Sequence, residues 1–246
     1  MSVLEIFETL AIPYHGLINT PNTIGLFEGE ANRLLFAADK ADKDKTWVNI
    51  GSHNGGSDIL LELLKREKGG SGFVVSVDCN FSPFFDINLS RVGDYTSLNY
   101  KMEINSNLFQ ETFEKSDIPQ DIGFAFVDGF HSFRQVVEDT KQLIPFLSPG
   151  TVICYHDCGP IFNDKARRAE VIASCEKGCF DGLFDSQIED FCVDEALVYM
   201  INEMEFEYYD IPIDINASYF QQAGRDQYIR GETSPFNSLQ ALVYTG

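Results

Sequence analysis

Apolar residues along this chain fall into two rhythms. Four short runs, Trp47-Val48-Asn49-Ile50, Phe73-Val74-Val75-Ser76-Val77, Phe124-Ala125-Phe126-Val127 and Thr151-Val152-Ile153-Cys154-Tyr155, each stop at glycine or at a polar residue. Strands of a parallel sheet read this way, because helices cover both of their faces. Between the runs, apolar residues recur three and four apart. Ala31, Leu34, Leu35 and Ala38 do so within 26–39, and Phe133, Val136, Val137, Leu143 and Ile144 do so opposite Glu138, Asp139 and Lys141. This spacing predicts helices with one apolar face, and further helices fit the stretch that ends at Leu64 and residues 108–114. Residues 99–104 read as a third strand, and Ser148-Pro149-Gly150 as a turn.

The two flanks are less regular. Residues 2–10 suit a short amphipathic helix and 12–24 a loop; downstream, 165–177 and 194–204 read as helices, 180–191 as irregular, and 206–213 and 239–244 as strands. Residues 214–238 are long, polar and rich in Tyr, Gln and Arg, including Tyr219 and Tyr228. A connection of that length in a compact domain commonly covers a site, so a lid is expected there.

At 246 residues, with 44% hydrophobic and 23% charged positions, the chain suits one α/β domain with its own core. Its division would be a cap over 1–45, a cofactor-binding core over 46–159, and helices, last strands and lid over 160–246. Charge changes the picture more: 18 Lys and Arg against 38 Asp and Glu give a net charge of -20 with no basic stripe, so nucleic acid is not an expected partner. The start lacks the basic and apolar segments of a signal peptide and no run is long enough to span a bilayer, which points to a cytoplasmic protein without membrane attachment. Six cysteines, Cys79, Cys154, Cys158, Cys175, Cys179 and Cys192, then read as reduced thiols. Cys154, His156 and Cys158 alternate as metal ligands on a strand would, but the Cys-x-x-Cys spacing of structural zinc is missing.

Chemistry concentrates at the strand ends. The first strand runs into Gly51-Ser52-His53-Asn54-Gly55-Gly56-Ser57 and then a helix, whose N-terminal N-H groups and glycines suit a small polar cofactor. The loop is neither a Walker loop nor the dinucleotide fingerprint. Asp78, ending the second strand, is placed to accept ribose hydroxyls, which suggests a nucleoside. Asn105 and Ser106 end the third strand, where they could meet an adenine edge or cap a helix. Phe124 to Asp157 forms a βαβ unit with a right-handed crossover, so Asp128 and Asp157 face one crevice. Neighbouring strands lie about 4.8 Å apart, so His131 and His156 would reach the same volume. Rim residues and helix caps are the plainer reading of each one singly.

Taken together, this order resembles the class I S-adenosylmethionine-dependent methyltransferases, and within them the small-molecule branch that includes macrolide sugar O-methyltransferases. The resemblance covers residues 46–159. It is most specific in Val127-Asp128-Gly129-Phe130-His131 and in Tyr155-His156-Asp157, with Leu147-Ser148-Pro149-Gly150 between them. It implies a Rossmann-like, doubly wound sheet of about seven mostly parallel strands, with an antiparallel last strand, an N-terminal helical cap and a C-terminal lid insertion.

For the site, the resemblance implies that S-adenosylmethionine lies on Asn49, Gly51, Ser52, His53, Asn54, Gly55 and Ser57, with Asp78 at the ribose, Ser106 by the adenine and Asp128 nearby. Asp128 and Asp157 would hold Mg2+ and His131 would be the base. Where the family usually carries Glu or Asp, this chain has Asn49, which leaves a third acidic ligand unassigned. His156 could fill that position, which would favour a transition metal over Mg2+. Methyl transfer to a hydroxyl of a small metabolite is the expected function. Transfer without metal or to nitrogen, and a non-methylating nucleotide protein of the same fold, are the alternatives. Whether the chain is a monomer or a homo-oligomer stays open.

Overall fold

The computed structural model describes residue 26 and residues 28–90, 99–158, 193–211 and 239–246. The readings made for residues 2–10, 12–24, 165–177, 180–191 and 214–238, and for Cys175, Cys179 and Cys192, lie outside the described residues.

In chain order the elements are α1 (Glu28–Asp39), β1 (Thr46–Ile50), α2 (Gly56–Glu67), β2 (Val74–Asp78), α3 (Phe85–Ser90), β3 (Asn99–Glu103), α4 (Phe109–Glu114), β4 (Ile122–Val127), α5 (Phe133–Leu143), β5 (Leu147–Tyr155), α6 (Val193–Glu203), β6 (Phe206–Tyr209) and β7 (Gln240–Tyr244). The strands form one seven-stranded sheet in the order β3-β2-β1-β4-β5-β7-β6. Pairs from β3 through β5 are parallel, and β7 runs antiparallel between β5 and β6. This is the expected Rossmann-like α/β sheet with an antiparallel last strand. Strand order reverses between β1 and β4, which opens a crevice at their C-terminal ends.

The continuous apolar runs are explained by two-sided burial. On one face Trp47, Val74, Phe124, Phe126 and Cys154 meet Ala31 and Leu34 of α1 and Ile59 and Leu60 of α2. On the other, Val48, Val75, Ala125 and Ile153 meet Phe109 and Phe113 of α4, Val136 and Val137 of α5 and Met200 of α6. Each large side chain removed from water contributes about 1.5–3 kcal/mol, so this double layer is the main source of stability. Among the described residues no helix is long and apolar enough to cross a membrane.

Three local differences from the sequence reading have physical causes. Helix α2 runs to Glu67, beyond Leu64, because the buried Lys65 continues its inner face: Nζ donates to the carbonyls of Lys45 (2.6 Å) and Phe73 (3.0 Å) and lies 4.4 Å above the Trp47 ring. Burial pushes that amine down to about 7. Strand β5 starts at Leu147, so Pro149-Gly150 is an irregularity inside its pairing with β4 and not a turn before it, and Gly150 at φ 94° absorbs the register shift. Asp139, read as part of the outer side of α5, is buried.

Helix α1 is tied to the far end of the chain. The buried Arg33 donates from Nε to the Leu239 carbonyl (3.1 Å) and from Nη1 to that of Ile211 (3.4 Å), so an N-terminal helix is anchored at the start of the last strand.

Candidate active site

Backbone bonds carry the sheet one step into each loop of the crevice. Gly51 N-H donates to Val77 O (2.8 Å), Asp128 N-H to Ile50 O (2.8 Å) and His156 N-H to Val127 O (3.1 Å). Loops after β1, β4 and β5 are therefore held in register with one another. Gly51 adopts φ 93°, and a Cβ there would stand 2.1 Å from the Asp128 carbonyl oxygen, so only glycine permits this approach. Gly55, at φ 79°, opens α2 and leaves its first N-H groups to the loop. Asp78 receives His53 N-H on Oδ2 (2.9 Å) and Asn80 N-H on Oδ1 (2.8 Å). It anchors the glycine loop, and each oxygen keeps acceptor capacity for a further partner. Asn54 is buried, and its carbonyl accepts from Asn88 Nδ2 at 2.8 Å.

Beneath this loop lies a buried polar network centred on Asp58. Asn49 Nδ2 donates to Ser57 Oγ and to Asp58 Oδ2, both at 2.8 Å. Asp58 Oδ1 receives the hydroxyls of Ser52 (3.2 Å) and Ser76 (2.5 Å). Burial pushes the Asp58 carboxyl up to about 6, against the pull of the hydrogen bonds from Ser76, Asn49 and Ser52. A negative group absent from position 49 is thus present beside it, supplied by α2. Asn49 Oδ1 is buried and accepts no hydrogen bond among the described residues. One turn along α2, Glu62 is also buried, and burial, then the charge of Asp58, push its carboxyl up to about 8.

On the other side of the crevice Ser106 Oγ accepts from Gln135 Nε2 (3.3 Å), which also donates to Asn107 Oδ1 and Asp139 Oδ1 (both 2.7 Å). Asp139 is pushed up to about 6 by burial, opposed by hydrogen bonds from Ser106 and Gln135. Its Oδ2 lies 3.5 Å from where a Gly129 Cβ would stand, so this carboxyl supports the Asp128-Gly129 turn from below. Ser106 is thereby joined to the base of that turn.

Asp128, His131, His156 and Asp157 converge. His131 Nε2 lies 3.2 Å from Asp128 Oδ1 and its Nδ1 lies 3.1 Å from Asp157 Oδ2. His156 Nδ1 faces Asp128 Oδ1 at 3.0 Å and Asp157 Oδ1 at 3.4 Å. Asp157 takes φ 57° to bring its carboxylate inward. Burial alone would raise the Asp128 carboxyl, but the charge of His156 and the hydrogen bonds of both histidines hold it well below the usual range. Asp157 is lowered for the same balance, burial being outweighed by His131 and then His156. Both imidazoles are pushed up, because the two aspartates outweigh the desolvation that would lower them. Ligand atoms of Asp128, His131 and Asp157 lie within 4.8 Å of one another, so His131, assigned from the sequence as base alone, stands within reach of a shared cation as well. His156 approaches the same two aspartates through Nδ1. Cys154 and Cys158, by contrast, belong to opposite core layers, so the alternating Cys-His-Cys residues do not meet.

One residue of this cluster was not anticipated. Glu30, buried on α1, places Oε2 at 3.2 Å from His156 Nε2. The signal available in the sequence was weak: Glu30, Arg33 and Ala37 share a helix stripe next to the apolar one, and all three are buried.

Comparisons with known proteins bear on this geometry. Residues 48–158, which carry the glycine loop, Asp78, Asp128 and Asp157, match the family described as "Methyltransferase domain". No curated protein sequence matches the chain. In fold, the chain is similar to an O-methyltransferase from Bacillus cereus in complex with SAH, at 16% identity and TM-score 0.53, over 98% of this chain and 88% of that one. It is similar also to the O-methyltransferase TomG from Streptomyces achromogenes in complex with SAM (14%, TM-score 0.57, 100% and 96%). A third is the SAH-bound methyltransferase PaMTH1 from Podospora anserina (12%, TM-score 0.54, 100% and 88%). At these identities the likeness is one of fold.

Proposed function

We propose that this chain, whose residues 48–158 match the methyltransferase domain family, transfers the methyl group of S-adenosylmethionine to a hydroxyl of a small metabolite, assisted by a divalent cation. The observation that carries the reading is the convergence of two carboxylates and two imidazoles at the ends of β4 and β5, next to the Gly51 loop. Two features of the residues fit the cofactor. Asn49 Oδ1 is a buried acceptor lacking a hydrogen bond among the described residues, suited to an ammonium or N-H group, and Asp78 keeps acceptor capacity for ribose hydroxyls. The oxygen and nitrogen donors of Asp128, Asp157 and a histidine likewise fit a divalent cation.

In this reading Gly51, Ser52, His53, Asn54, Gly55 and Ser57 position the methionine part, Asp78 the ribose, and Ser106 the adenine side. S-adenosylmethionine supplies a sulfonium methyl that is already electrophilic, so the chain has to align it with the acceptor oxygen and remove a proton. Asp128 and Asp157 would hold the cation, which would lower the pKa of an oxygen bound to it. With one of these aspartates turned to the cation, the His131 nitrogen that it leaves would take the proton from the hydroxyl as the new C-O bond replaces the S-C bond. Its position between Asp128 and Asp157 stabilises the imidazolium that results.

A second reading, transfer without metal, is favoured by one observation: both imidazoles are already paired with the aspartates and could supply the positive charge themselves. The test is thermal unfolding of the full chain with S-adenosylmethionine, its demethylated product, NAD or ATP, followed by methyl transfer with and without chelator. A ligand at 100 times its Kd stabilises by about 2.7 kcal/mol, and only the first two should do so. His131→Ala should slow turnover by about 100-fold with cofactor affinity retained. Equal stabilisation by NAD would refute methyl transfer, and full activity in chelator would select the metal-free reading.

A further inference from the structure

The His156-Glu30 contact has no part in the reading above, although it lies against the proposed cation site. On one edge of the imidazole, Nδ1 stands 3.0 Å from Asp128 Oδ1 and 3.4 Å from Asp157 Oδ1. Ligand atoms that share one ion at bond lengths of about 2.1 Å lie about 3.0–3.4 Å apart, so these separations are those of neighbours in one coordination sphere. On the other edge, Nε2 is buried, has no hydrogen-bond partner among the described residues, and has the carboxylate of Glu30 3.2 Å away. His156 is only 9% exposed and Glu30 3%, so neither group exchanges its neighbour for water.

An imidazole that binds a metal through one nitrogen characteristically gives its other N-H to a carboxylate, which fixes the ring and makes the ligating nitrogen a better donor. Helix α1 places such a carboxylate behind His156. It does so firmly, since Arg33, one turn further along the same helix, is bonded to the carbonyls of Leu239 and Ile211.

Resting on the divalent-cation reading, we propose that Glu30 is a positioning residue of that site. It holds His156 with Nδ1 turned towards Asp128 and Asp157, makes the imidazole a ligand, and shifts the preference from Mg2+ towards first-row transition ions such as Mn2+ and Co2+. Glu30 thus acts from behind a histidine and not on the ion itself.

Calorimetric titration of the full chain with MnCl2, CoCl2 and MgCl2 tests this without reference to turnover. Wild type should bind Co2+ and Mn2+ more tightly than Mg2+, and Glu30→Gln should weaken Co2+ and Mn2+ by about 10–100-fold while moving Mg2+ much less. The melting temperature in chelator separates a lost positioning contact from a lost fold. Should Glu30→Gln not fold, His156→Gln serves, and it should collapse the Co2+ preference over Mg2+. No loss, or an equal loss for all three ions, overturns the role of Glu30 while the cation reading stands. A wild-type chain that binds none of the ions overturns both, and stabilisation by S-adenosylmethionine then shows whether methyl transfer survives without them.

Discussion

Asn49→Asp restores the acidic residue expected at the end of β1, and the structure says that it should harm this chain. Asn49 Nδ2 is 2.8 Å from Asp58 Oδ2, so the substitution replaces a donor with a second carboxylate against a buried first one. Two charges at 4 Å repel by about 4 kcal/mol at an effective dielectric of 20, and the lost bond to a charged group adds about 1.5–3 kcal/mol. Sharing a proton caps the total, which gives an expected destabilisation of about 3–5 kcal/mol. The pH dependence has a definite sign. Asp58 is already raised to about 6, and a second carboxylate raises the pair further, so the folded state binds more protons than the unfolded one. Stability of the variant therefore falls as pH rises from the unfolded carboxylate range through the raised value. Urea unfolding at about pH 5 and about pH 8 should show a small defect at the first and the full one at the second. The double variant Asn49→Asp/Asp58→Asn, which returns one acid and one amide to the pair, should recover all but about 1 kcal/mol. The reasoning fails if Asn49→Asp matches wild type at the higher pH, or if the double variant is no better than the single.

Gly51→Ala forces a β-carbon into the Asp128 carbonyl and an L-residue into positive φ, which costs about 1–2 kcal/mol for the dihedral alone. A lower melting temperature and at least roughly tenfold weaker S-adenosylmethionine binding by calorimetry should follow; wild-type affinity would show that the loop adapts. Glu62 is raised to about 8 from an ordinary carboxyl value, so wild-type stability should decline as pH climbs from about 4.5 to about 8. Glu62→Gln should flatten that slope in urea titrations across pH and gain up to roughly 4–5 kcal/mol at its alkaline end; an unchanged slope would place the titration elsewhere.

Much of the sheet was legible because β1, β2, β4 and β5 are covered on both faces, and two-sided burial writes itself as unbroken apolar runs. Asp78, Asp128 and Asp157 were legible because parallel strands present their C-terminal residues to one crevice. Other features depended on partners distant in sequence. Asp58 in the first turn of α2 reads as an ordinary complement to the helix dipole, and nothing local says that Asn49, Ser52 and Ser76 close around it. Lys65 and Asp139 look like solvent-facing charges until carbonyls and the Gln135 amide are seen to meet them. Glu30 belongs to the crevice only because α1 packs across β5, a tertiary fact that leaves no more than a weak trace in the spacing of its residues.

The Arg33 anchor also sets an order of events in the cell. Its guanidinium is buried against carbonyls 206 and 178 residues later in the chain, so during synthesis these two bonds form only after residues 211 and 239 have emerged. At roughly 5–20 residues per second that wait lasts about 10–40 s. The strands from β1 to β5 can assemble in the meantime and the apolar face of α1 can settle on them, but the tie that fixes this helix at the start of β7 comes later. The helix that carries Glu30 is therefore fastened only once β7 begins, so a chain cut short before residue 239 would hold its aspartates and histidines under a helix that lacks this tie.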